Sequence, residues 1–230
     1  MKQTIYHLLL VLALALSANP VVAQPATVKV TFRGNSPTIN DFVASLARAY
    51  KGNAEFSDFA NDVRGGTRNF VNVKIVSDGR NGYASREVES GYDASVNKTE
   101  MCYWNCANKR EKIVAVNMVT RNPDGIDDCY IAFYRYDNAK RVMKKIPAPF
   151  DREVKPIDFT KPLRTRPERI NYARNVSGED ANSWAPIFSL PQIGKDIEIT
   201  IADGMQLQLS ERQWLRYVWN GNGFTLTLVD

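Results

Sequence analysis

The chain has 230 residues and a formal net charge of +5, from 30 Lys and Arg against 25 Asp and Glu, with a single histidine. That histidine, His7, lies in Met1–Ala23, which has the form of a secretory signal peptide. Lys2 is followed by an apolar run from Leu8 to Leu16, the Asn19-Pro20 break and small residues up to Ala23. Cleavage there leaves about 207 residues with 29 basic against 25 acidic side chains, a net +4, and no imidazole. Ser-His-Asp and Cys-His nucleophiles, His-ligated metals and imidazole pH switches are thereby excluded.

The expected location is extracytoplasmic, in the periplasm or outside the cell. No later apolar run reaches the roughly 18 residues of a membrane span, so the chain is expected not to cross a bilayer. A charge of this size does not point to a specific nucleic-acid partner.

Thr27–Phe32 alternates and predicts a first strand. A helix follows, opened either by Ser36 as N-cap with Pro37 at the first helical position, or by a capping box of Thr38 and Asp41. Phe42, Leu46, Ala49 and Tyr50 give its inward face. Ser57–Arg64 predicts a second helix, stopped by Gly65-Gly66.

From Phe70 the period becomes two, with Val71, Val73 and Ile75 on one face and turns at Asp78-Gly79 and Asn81-Gly82. Lys98–Trp104, Lys112–Val119, Tyr130–Tyr136 and Arg141–Ile146 follow as strands of an antiparallel meander. Near the end, Ile197, Ile199 and Ile201 predict a hairpin with Met205, Leu207 and Leu209 through Asp203-Gly204. A second hairpin joins Trp214–Trp219 to Phe224–Val229. Between these blocks, Pro147–Trp184 has five prolines and little periodicity.

The expected fold is α+β, predominantly antiparallel β-sheet with one or two N-terminal helices. Residues 24–230 are expected to form a single domain, with residues 27–95 as a candidate separate lobe.

Several strings carry a resemblance: Met101–Asn105, Val114–Asn117, Ala132–Asp137, Gly194–Glu198, and Tyr217–Gly221 with Phe224. Over about the C-terminal two-thirds the chain resembles exported, uncharacterised proteins of Bacteroidota. The resemblance implies an extracytoplasmic bacterial setting and transfers no activity or functional residue.

Candidate sites come from the residues alone. Cys102, Cys106 and Cys129 are an odd set for an exported chain. A local Cys102–Cys106 disulfide is the favoured pairing provided the chain turns between them, with three reduced thiols as the alternative; an extended path separates them by about 13 Å. Asn122–Asp128 is an acidic turn without the spacing of a calcium loop, so solvated acids are expected there.

From Lys140 to Arg174 there are eleven Lys and Arg against four acids. This makes Lys161, Arg164, Arg166, Arg169, Tyr172 and Arg174 a candidate surface for an anionic glycan or another cell-envelope component. Leu215, Tyr217 and Trp219 are expected in the core opposite Phe224, leaving Trp214 as the exposed aromatic. No cofactor loop or metal cluster is legible. The expected function is a non-enzymatic binding or interaction module; the alternative is a glycan-directed hydrolase using paired carboxylates.

Overall fold

The computed structural model describes residues 27–122, 125–159, 167, 186–201 and 214–229. Their chemistry builds three layers: two helices, an eight-stranded antiparallel sheet, and a four-stranded sheet on its other face. The α+β, predominantly antiparallel expectation is met.

The first helix, α1 (Ile39–Ala49), opens at Thr38, whose backbone N–H donates to the Asp41 carboxylate at 2.8 Å. The Thr38 hydroxyl donates to the same carboxylate at 2.7 Å, so the Thr38 start prevails over Ser36-Pro37. Ile39, Phe42, Val43 and Leu46 form its buried face. The second helix, α2 (Ala54–Arg64), starts one turn earlier than the spacing predicts. Asn53 caps it, its side-chain oxygen accepting from the Phe56 N–H at 3.1 Å. Phe56, Phe59, Ala60 and Val63 face inward, and Gly65 ends the helix.

The large sheet comprises β1 (Thr27–Lys29), β2 (Arg68–Asn69), β3 (Val73–Asp78), β4 (Tyr83–Glu89), β5 (Val96–Asn105), β6 (Glu111–Asn122), β7 (Gly125–Asp137) and β8 (Val142–Ile146). Its order is β1-β8-β7-β6-β5-β4-β3-β2, so β3 to β8 run as the expected meander. β1 and β2 lie at opposite edges, joined in sequence through the two helices.

Alternation assigns each strand residue to a layer. On β5, Met101 packs in the helix-side core, whereas Cys102 and Trp104 face the smaller sheet. β6 divides the same way, with Val114 and Val116 against Ile113 and Ala115.

Two sequence readings are corrected here. The first strand closes at Lys29 rather than Phe32. Val71 lies in the turn before β3 instead of on a buried face, and is 98% exposed. β4 escapes the periodicity because Tyr83, Ser85 and Glu87 alternate with Ala84, Arg86 and Val88, which leaves a charge on each face.

The smaller sheet comprises β9 (Pro186–Ser189), β10 (Ile197–Ile201), β11 (Trp214–Trp219) and β12 (Phe224–Val229), ordered β12-β11-β10-β9. The expected β11–β12 hairpin forms in register, pairing Tyr217 with Leu226. The second arm of the hairpin expected between Ile197–Ile201 and Met205–Leu209 falls within residues 202–213, which lie outside the described residues. β10 itself pairs with β11 (Ile199 opposite Leu215) and with β9 (Ile199 opposite Phe188).

Ile197, Ile199, Leu215, Tyr217 and Phe224 pack onto Cys102, Trp104, Ile113 and Phe133. The Phe150 ring stacks on Tyr217 at 3.8 Å between centroids. Phe150 also forms a parallel bridge with Phe224 at the outer edge of β12. The Trp104 indole N–H donates to the Lys195 carbonyl at 2.8 Å, a further tie between the sheets.

Candidate ligand-binding cleft

At the end of the large sheet where β4 finishes, β5 begins and β6 finishes, the two sheets part to leave a cleft of about 90 Å³. Glu87 comes from β4, Val96 and Lys98 from β5, Val119 and Arg121 from β6, and Phe188 and Ser189 from β9. Glu87, Lys98 and Val119 lie in one row across three strands, and Arg121 pairs with Val96 in the next row. Charged side chains thus surround an apolar floor.

Behind this cleft lies a buried polar cluster. The Glu100 side chain is only 1% exposed, and the Lys98 ammonium reaches it at 2.5 Å from a side chain 34% exposed. Glu100 also accepts the Leu190 backbone N–H at 2.7 Å, the Tyr83 hydroxyl at 3.3 Å and the Asn117 amide at 3.4 Å. A buried carboxylate is tolerable only when paired and hydrogen-bonded, and both oxygens here are engaged. Burial pushes the Tyr83 hydroxyl well above its ordinary value, and the neighbouring negative charge of Glu100 adds to the shift. Burial likewise raises the Cys102 thiol, again with Glu100 adding to it.

Asn117, fully buried, donates to the Phe188 carbonyl at 2.7 Å. Its amide orientation follows from its neighbours, since the Phe188 carbonyl and Glu100 both accept. The Asn117 carbonyl oxygen has no partner among the described residues. Together Glu100 and Asn117 grip the main chain at Leu190 and Phe188 and so hold one wall of the cleft on the large sheet.

The register places Lys98 directly opposite Glu87, where a cross-strand ion pair would ordinarily form. Lys98 instead bonds the buried Glu100. Neither Glu87 nor Arg121 then has a side-chain partner among the described residues.

Two turns at the same end of the sheet are linked by the Glu89 N–H donating to the Asn72 carbonyl at 3.0 Å. They carry the exposed Phe70 and Val71 on one side and Tyr92, which is 100% exposed, on the other.

The residues singled out from sequence fare differently. Lys161, Arg164, Arg166, Arg169, Tyr172 and Arg174 lie outside the described residues. Of that basic run, Lys140 and Arg141 sit at the β7–β8 turn, at the far end of the sheet from the cleft. Cys102 and Cys106 do not pair: all three cysteines are free thiols. β5 runs straight on through Asn105, so the turn that would bring these two thiols together is missing. The side chains of the acidic turn at 122–128 lie outside the described residues. Trp214 is half-exposed and Tyr217 fully buried, as alternation predicts.

Glu87, Glu100, Asn117 and Arg121 were not singled out. Their signal in the sequence is a polar residue at an inward-facing strand position, as Glu100 is beside Cys102 and Trp104.

No protein family matches the sequence, no curated protein matches it, and no solved structure matches the fold. Among the described residues no helix is long and apolar enough to cross a membrane.

Proposed function

We propose that this is an exported, non-catalytic binding module whose ligand-facing site is the cleft between the ends of β4, β5, β6 and β9. The observation that carries the reading is the pair of unpartnered charges, Glu87 and Arg121, across an apolar floor of Val96, Val119 and Phe188. A few convergent polar groups around an apolar recess are what a small-ligand site requires. The exposed Phe70, Val71 and Tyr92 extend the same end with surface suited to contact. Export rests on the leader-like Met1–Ala23.

The paired-carboxylate alternative gains less support. Glu87 and Glu100 are diagonal neighbours across β4 and β5, which places their Cβ atoms about 7–8 Å apart. Glu100, however, is saturated with partners and shut away from the cleft by Lys98, so it has no free oxygen with which to protonate or attack a substrate.

The test is to titrate the isotopically labelled protein with heparin, xylan, chitotriose and a mixture of short peptides, following backbone amide signals. Shifts confined to Val96–Lys98, Val119–Arg121 and Phe188–Ser189, without turnover of the probe, are expected. Hydrolysis of any of these polysaccharides that vanishes in Glu87→Gln would overturn the non-catalytic reading.

A further inference from the structure

We infer that the cleft takes a dipeptide through both of its charged ends, the amino end at Glu87 and the carboxylate at Arg121. This inference rests on the cleft being a ligand site.

Its starting point is a mismatch of charge. Cross-strand register gives Glu87 an obvious partner in Lys98, yet Lys98 is drawn to the buried Glu100. The withdrawal leaves Glu87 on β4 unmatched, Arg121 on β6 has no side-chain partner among the described residues, and both line one recess. Lys98 and Glu100 cancel each other, so the free field of the cleft is a dipole from Glu87 to Arg121.

A ligand that answers such a field carries a cation at one end and an anion at the other. Its span follows from the sheet. Glu87 and Arg121 stand on strands two apart, about 9–10 Å, and one pleat repeat out of step along the strand, about 7 Å. Their Cα atoms are therefore roughly 12 Å apart, and side chains that stand off the sheet keep about that separation. Two charge-assisted contacts of about 2.8 Å each take up part of it, and two extended residues, about 7 Å, fill what remains. A single amino acid holds its charges too close together to meet both groups.

The floor of Val96, Val119 and Phe188 selects an apolar side chain on the ligand. Ser189 at the rim can exchange hydrogen bonds with the peptide group.

The experiment uses the isotopically labelled protein, with the dipeptide Ala-Leu as probe and the amide signals of Lys98, Val119, Arg121 and Ser189 as readout. Ala-Leu with both ends free is expected to bind, and N-acetylation or C-amidation should each weaken it about tenfold, the scale of one charge-assisted hydrogen bond. Free leucine should bind more weakly than Ala-Leu. Glu87→Gln should abolish the discrimination against the acetylated peptide alone, and Arg121→Gln the discrimination against the amidated peptide alone. Both side chains are at least partly exposed, so neither change threatens folding.

If the doubly blocked peptide or a heparin hexasaccharide shifts these signals as strongly as Ala-Leu, the cleft is a ligand site but the two-ended peptide is refuted. If no probe moves them, the binding reading falls together with this one.

Discussion

Removing the Glu100 carboxylate should cost the protein much of its margin of stability, and the size of the loss follows from its partners. Glu100→Ala strips the acceptor from the buried Leu190 N–H and from the Tyr83 hydroxyl, and leaves Lys98 without its counter-charge. Breaking a buried ion pair from one side costs about 3–5 kcal/mol. Lys98 keeps a third of its side chain in water, so the lower end, about 3 kcal/mol, is expected. For a chain of this size that is a fall of about 6–12 °C in Tm. Glu100→Gln retains an acceptor for Leu190 and should cost about 1–2 kcal/mol. Lys98→Met, which buries an unmatched carboxylate, should cost about as much, and the double variant should recover at least about 1 kcal/mol of the summed loss. Urea titrations at constant m-value give each term from the shift in midpoint. Additivity of the two single changes within about 0.5 kcal/mol would refute the view that Lys98 and Glu100 act as one buried unit.

Other outcomes can be read from the same preparations. Ile199→Ala should cost about 2–5 kcal/mol, because Ile199 is fully packed between the sheets, while Thr200→Ala on the opposite face should stay within about 0.5 kcal/mol; chemical denaturation compares them. Tyr136→Phe should be neutral or stabilising by about 1 kcal/mol, since the Tyr136 hydroxyl is buried without a partner among the described residues, and a clear loss in Tm would reveal a bond to that oxygen. Alkaline conditions should weaken the fold. Burial raises Tyr50, Tyr83 and Tyr134 and pushes Tyr217 up to about 12, so the unfolded chain ionises first. That contribution is whole below about pH 10 and is lost as pH rises through about 12, which tyrosinate absorbance and circular dichroism would follow together. Alkylation of the denatured protein without reductant should add three groups by intact mass, as three free thiols require.

The meander, the C-terminal hairpin and both helices were legible because each has a clean apolar period. β5 and β6 alternate between two buried faces, and Trp214–Trp219 announces its inward side through Leu215, Tyr217 and Trp219. β4 was hidden because Glu87 and Arg86 point to opposite layers and break the apolar pattern on both. The pairing of β10 with β9 and β11 was not legible because a turn signal such as Asp203-Gly204 argues only locally, whereas these partners depend on which edges remain free in three dimensions. The cleft was less legible still. Lys98, Glu87 and Arg121 form no pattern until the register sets them in adjoining rows, and only Glu100 and Asn117, polar at inward positions, mark the place in advance.

The pairing of β1 with β8 governs the order in which this chain can assemble. Every other pairing in the large sheet joins strands adjacent in sequence, and these hairpins can form as soon as their residues are available. Val28 meets Met143 only by closing a loop of more than a hundred residues, at an entropic cost of about 4 kcal/mol. Three residues of ladder return little against that cost, so β1 docks after the meander and helices are in place. Until it docks, the outer edge of β8, with its unpaired main-chain groups, stays open to a stray strand, and Lys144 and Lys145 are the charges on hand to discourage one.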